Sequence, residues 1–202
     1  MTDPNLLTNL GLGLPSDDQI LGPLVSIYRH HRCRYRKINF QMTIYFYKVW
    51  QPYGCFSNFS PHGITIHGTY WPTVEHYYQA QKFVGSVDAV IIPVIHAAET
   101  PEAAAALGRC PTRQLRPDWE IVKTQVMGQA VLQKFVTHGD IKKILLNTGN
   151  QTLVENSPND YFWGCGVQKT GQNHLGKILM AVREEIRASQ LSTVFLGGRK
   201  LD

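Results

Sequence analysis

The chain has 202 residues, a mass of 22.8 kDa and a formal net charge of +5. That length fits one globular domain of ordinary size whose core needs no disulfide or metal staples. With 43% hydrophobic and only 17% charged residues the chain is not a disordered polyelectrolyte, and no apolar run approaches the ~18 residues of a membrane span.

The four cysteines are widely separated, so neither a C-x-x-C zinc or redox pair nor a disulfide scaffold is expected. Residues 1–20 have no basic segment followed by an apolar stretch, as a secretory signal would require. A cytoplasmic protein with reduced cysteines is expected. The first 28 residues are polar and punctuated by Gly and Pro. Arg29 to Lys37 then form a basic run, which either touches nucleic acid or a membrane surface or forms a solvated tail. Residues 1–41 carry net +2 of the charge and read as a flexible N-terminal extension, with Met42 as an alternative start.

From Thr43 the texture changes. Thr43–Trp50 is rich in β-branched and aromatic residues and predicts a strand. Ile64–Tyr70 predicts a hairpin turning at His67-Gly68. Helical signals follow. Thr73 is placed to cap a helix running through Phe83. Thr100 with Pro101 opens Glu102–Leu107, which Gly108 stops. Asp118 is placed to cap Trp119 to about Val136. Asp140 opens Ile141–Asn147, and a last helix runs from about Leu175 to Arg187. Leu153–Glu155 reads as a short strand before a Gly-rich loop, Ser157–Gln172. Few strands among several helices, without βαβ alternation, predict a helix-dominated α+β fold with a small antiparallel sheet.

Four stretches carry candidate chemistry. In Trp71–Phe83, Glu75 falls in the first turn of its helix, where the dipole and free N–H groups stabilise a carboxylate by about 0.3–1 kcal/mol. Glu75, Gln79 and Lys82 are spaced i, i+4 and i+7, so they share a face that can hold a polar ligand or serve as an ordinary surface face. Cys55–Pro61 alternates aromatic and small polar residues; Ser57 and Asn58 can bond a ligand or simply make a turn. Arg109 offers a fork suited to phosphate, or caps its own helix. Trp119 and Lys123, four residues apart, share a face. Leu153–Gly166 sets Asp160 beside Trp163 and Gly164 ahead of a helix start near Asn173. Glycines there let backbone approach a ligand, or merely shape a long turn. Two carboxylates such as Glu75 and Asp160 are the usual equipment for breaking a glycosidic bond.

These residues resemble the YbiA-like, or NADAR, family. The matching pieces occur in family order: Tyr53-Gly54…Phe56-Ser57-Asn58-Phe59; Trp71-Pro72-Thr73…Glu75-His76-Tyr77…Gln79-Ala80-Gln81-Lys82-Phe83; Gly108-Arg109; Leu115-Arg116…Trp119…Lys123…Val126-Met127; Leu153-Val154-Glu155…Asn159-Asp160…Trp163-Gly164; and Gly171…Asn173…Leu175-Gly176…Leu179-Met180. They span about residues 44 to 187, giving a domain over 42–188 between the extension and a C-terminal tail over 189–202.

The resemblance implies a compact α+β fold and N-glycosidase activity. It implies hydrolysis of early riboflavin-pathway intermediates, ribosylaminopyrimidine 5′-phosphates, to ribose 5-phosphate and a free pyrimidine, as metabolite damage control. Alternatives are removal of ADP-ribose from guanine in nucleic acid, or non-catalytic binding of ADP-ribose or another nucleotide. By the same resemblance Glu75 is the central carboxylate and Asp160 the second acid, with Glu75 kept anionic by its helix start. Lys82 is an amine able to trap an opened ribose as a Schiff base. Arg109, Lys123 and the loop around Asn173 would hold phosphate, while Asn58, Trp119, Trp163 and Gly164 would shape the base and ribose pocket. A small phosphorylated ribosylamine is thus the expected partner, with nucleic acid only under the alternative. No metal, other cofactor or membrane is expected, and the sequence carries no signal for oligomeric state.

Overall fold

The structure, a computed structural model, describes residues 42–197. The extension expected over 1–41, with its basic run, lies outside the described residues. Among the described residues there are six α-helices and four short strands: β1 Thr43–Phe46, β2 Ile64–Ile66, β3 Thr69–Trp71, α1 Val74–Gln81, α2 Ile92–His96, α3 Pro101–Gly108, α4 Trp119–Thr137, α5 Gly139–Asn147, β4 Thr152–Glu155 and α6 His174–Gly197. The helix-dominated α+β class is as expected from sequence. No described helix is long and apolar enough to cross a membrane.

The sheet is really two two-stranded pieces. β2 and β3 form the antiparallel hairpin, with His67 (φ 50°) and Gly68 (φ 79°) at its tip. Two successive positive φ values match the right-handed twist of the flanking strands. β1, by contrast, pairs with β4 in parallel, Ile44 opposite Leu153 and Phe46 opposite Glu155. The expected antiparallel sheet therefore holds for the hairpin alone. The hairpin and helices α1 to α5 make up the crossover between β1 and β4, as parallel pairing requires a long connection. This pairing also shortens β1. β4 ends at Glu155, so no partner extends beyond Phe46, and Tyr47–Trp50 leave the strand that composition predicted through Trp50.

Side-chain capping sets two helix starts. Thr73 Oγ1 accepts from the His76 backbone N–H at 3.3 Å, and Thr100 Oγ1 from Ala103 N–H at 3.1 Å, as their positions predicted. Asp118 departs from expectation. Its carboxylate makes no cap bond but grips the Arg116 guanidinium at 2.6 and 2.9 Å. α6 continues to Gly197, so the tail expected from residue 189 begins as helix. It opens hard against β4: a Cβ on Gly176 would lie 2.1 Å from the Leu153 carbonyl oxygen.

α1 is buried on every side. Val74 through Ala80 are all inaccessible, including Glu75, His76 and Gln79. Such burial demands partners for polar groups. His76 Nε2 donates to the Ala98 carbonyl at 3.0 Å, which leaves Nδ1 to accept from Thr73 Oγ1 at 2.8 Å. His76 is thereby committed to structure. α4 carries another buried polar group, Lys134, whose Nζ donates to the Ser57 carbonyl at 2.9 Å and to Ser60 Oγ at 2.6 Å. Phe56 packs edge-on between Phe46 and Phe135, anchoring the same loop to the core.

Candidate active site

Parallel pairing places the carboxyl ends of β1 and β4 on one side, and both strands empty into a pocket there. Ligand sites in parallel sheets commonly form at strand carboxyl ends. The pocket has a volume of about 590 Å3. Tyr47–Trp50 supply one wall, Ser57–Phe59 a second, and α1 the floor through Glu75, Tyr78, Gln79 and Lys82. Arg109, at the end of α3, and Met127 of α4 also line it. Glu155, Ser157, Asn159, Asp160 and Trp163 close it from β4 and the loop beyond.

Glu75 is 4% exposed, and burial raises its pKa above the usual carboxylate range. Three groups oppose that rise. Gln79 Nε2 donates to Glu75 Oε1 at 2.7 Å, Arg109 Nη2 stands 3.7 Å from the same oxygen, and the Lys82 charge is near. The helix start alone does not keep Glu75 anionic: desolvation works against the anion, and the Gln79 hydrogen bond is the largest influence in its favour. The Glu75, Gln79 and Lys82 face read from spacing is real, and it faces the pocket.

Lys82 follows the last turn of α1. Its Nζ donates to the Gly108 carbonyl at 3.1 Å and lies 5.6 Å from the centre of the Tyr78 ring. Burial lowers its pKa to about 8. An amine so tuned is far more available as a nucleophile than an exposed lysine. Asp160 lines the pocket too, but its Oδ1 already accepts from the backbone N–H groups of Phe162 (2.9 Å) and Trp163 (2.6 Å). One of its oxygens therefore folds the loop, leaving the other for the pocket.

The pocket-shaping residues divide. Asn58 lies in it with Nδ2 on Met127 Sδ at 3.3 Å and a buried Oδ1 without a partner. Trp163 lines it, and Arg109, with a side chain 65% exposed, stands at its mouth. Four expected members do not line it. Trp119 is buried behind Tyr78, ring centres 5.0 Å apart. Lys123 is tied to Glu120 at 2.5 Å and sits 3.9 Å over the Phe162 ring, bracing the loop against α4. Asn173 clamps β4: its Oδ1 accepts from Glu155 N–H at 3.0 Å and its Nδ2 donates to the Leu153 carbonyl at 2.9 Å. Gly164 packs against the loop itself, where a Cβ would lie 2.9 Å from Ser157 Cβ. These four support the wall rather than form it. Of the expected phosphate holders only Arg109 lines the pocket, together with Lys48, which sequence reasoning missed.

The larger omission is Glu155. Strand alternation puts it on the same face as Leu153, which is fully buried. An acid in phase with a core leucine was the available signal. Among the described residues no group of three or more His, Cys, Asp or Glu side chains is placed to hold a metal ion.

Several known proteins are similar to this chain. The N-glycosidase Npun_R5314 of Nostoc punctiforme is 77% identical over 146 residues, covering 72% of this chain and 94% of that protein. The riboflavin biosynthesis protein PYRR of Zea mays, chloroplastic, is 48% identical over 157 residues, covering 71% of this chain and 25% of that longer protein. The Escherichia coli N-glycosidase YbiA is 43% identical over 143 residues, covering 71% of this chain and 88% of its own length. Its NMR structure superposes with a TM-score of 0.69 at 41% identity, covering 75% of this chain and 88% of that one. The NADAR domain model matches residues 45–187, and the chain belongs to the NADAR family.

Proposed function

We propose that this protein is an N-glycosidase that hydrolyses the bond between a phosphorylated ribose and an amine-bearing pyrimidine of the riboflavin pathway, releasing ribose 5-phosphate. One observation carries the reading: a buried carboxylate, Glu75, is held by an amide at 2.7 Å on the floor of a pocket that also contains a second acid and cationic groups. N-glycoside cleavage develops positive charge at the anomeric carbon. A desolvated, oriented carboxylate stabilises that charge more than water would. Glu75 faces the anomeric centre or activates the attacking water. Lys82 is the amine placed to trap an opened ribose. Arg109 at the mouth meets the 5′-phosphate, while Trp163 and Asn58 pack and bond the base. The names of the Nostoc and E. coli relatives support the reaction, and that of the maize relative supports the pathway.

The test is side-by-side turnover of a ribosylaminopyrimidine 5′-phosphate and an oligonucleotide bearing ADP-ribosylated guanine. Release of ribose 5-phosphate from the first is expected. Turnover of the oligonucleotide alone, slowed by added salt, would move the activity to nucleic acid. An intact first substrate would overturn the reading.

A further inference from the structure

We infer that Glu155, in its carboxylic acid form, is the proton donor to the departing nitrogen. The inference rests on the N-glycosidase reading above. Glu155 lines the pocket from the last position of β4. Its backbone is fixed on both sides: its N–H donates to Asn173 Oδ1 at 3.0 Å, and its carbonyl accepts from Cys165 N–H at 2.9 Å. Its Oε2 is buried with no hydrogen-bond partner. A carboxylate oxygen buried without a donor is costly, whereas the protonated acid is tolerated and offers an O–H.

The groups around it sort the proton. Burial raises the pKa of Glu75 on α1 as well, but there the Gln79 donor and the Arg109 and Lys82 charges oppose the rise. Glu155 has none of these; burial, Asp160 and Glu75 push its pKa up to about 8. The other ionisable groups lining the pocket are Tyr78 on α1 and Lys82 just after it, Glu102 on α3 and Arg109 at its end, and Tyr47 and Lys48 beyond β1. None of these donates a hydrogen bond to Glu155 or forms an ion pair with it. Of two desolvated acids, the one without a donor or cation is the better placed to hold the proton, and the one with them to stabilise positive charge.

The step balances. The C–N bond breaks with its electron pair going to nitrogen, which takes the proton of Glu155. Water adds to the anomeric carbon, and its released proton passes to Glu75. Proton exchange with solvent then restores both groups. Products are the free amine and the ribose hydroxyl.

The experiment compares kcat, KM and the pH profile of wild type, Glu155→Gln and Glu155→Asp on a ribosylaminopyrimidine 5′-phosphate. Glu155→Gln should lose about 10²–10⁴ in kcat, the usual worth of a general acid, with KM nearly unchanged. Wild type should lose activity as pH rises through about 8, where Glu155 gives up its proton. Glu155→Gln should lack that decline, and Glu155→Asp should retain it with part of the activity. Near-wild-type kcat in Glu155→Gln would overturn the assignment, as would a slow Glu155→Gln that keeps the alkaline decline. Both results leave the N-glycosidase reading standing. Should Glu155→Gln fail to fold, an Asp variant without the decline would overturn it equally. Failure of wild type to release ribose 5-phosphate would overturn the reading and the inference together.

Discussion

Gln79 Nε2 donates to Glu75 Oε1 across one turn of α1, at 2.7 Å and out of contact with solvent. The bond is what most opposes protonation of Glu75 in a site whose burial favours it. A hydrogen bond to a charged group is worth about 1.5–3 kcal/mol, or about 10- to 150-fold. Gln79→Ala should therefore lower kcat by that order and raise the pH at which the acidic limb of the profile appears. Steady-state kinetics across pH measure both effects.

Arg109 approaches the same carboxylate oxygen from 3.7 Å, but its side chain is 65% exposed. With its cationic end in solvent the pair is screened and contributes only about 0–1 kcal/mol to stability. Arg109→Ala should leave the melting temperature nearly unchanged and raise KM for phosphorylated substrate. The rise should shrink for the dephosphorylated nucleoside. Melting curves and KM values for the two substrates check this.

Lys134 illustrates a different use of a buried amine. Burial lowers its pKa from 10.5 to about 7, so the unfolded chain binds its proton more tightly than the folded one. Stability from this group is complete above the unfolded value and is lost as pH falls through about 7. Wild type should thus gain stability between about pH 7 and 10.5, and Lys134→Met should show less of that gain. Denaturant unfolding at pH 6, 8 and 10 reads the difference. Because Lys134 holds the Ser57 carbonyl and Ser60 Oγ, the variant should also loosen the loop carrying Asn58.

Asn173 sits at φ 53°, a conformation Asn tolerates better than most residues, and makes two bonds to β4. Asn173→Ala should cost about 1–3 kcal/mol by leaving strand groups unpaired. A role in phosphate binding would instead raise KM in a protein of normal stability. Chemical denaturation beside a KM measurement separates the two.

Local rules made much of this fold legible. Thr73 and Thr100 announce their helices because a side-chain cap is a local bond, and His67-Gly68 announces its hairpin because the turn is. Parallel pairing of β1 with β4 is not local. It joins residues more than a hundred positions apart, and four-residue strands carry no mark of direction. The site divides the same way. Glu75 and Lys82 were visible from helical spacing and motif. Trp119, Lys123 and Asn173 belong to the same motifs, yet they serve them from behind the wall, a distinction made only by packing. Glu155 carries no such helical spacing, and a lone acid beside a polar loop looks solvated until the fold brings it into the pocket with one oxygen out of reach of water.

The proposed reaction depends on the Glu75 carboxylate. The direct measurement is single-turnover release of ribose 5-phosphate from a ribosylaminopyrimidine 5′-phosphate by wild type and by Glu75→Gln, which preserves shape. Release by wild type and loss of at least about 10²-fold in the variant is predicted. Equal rates in the two proteins, with both folded, would contradict it.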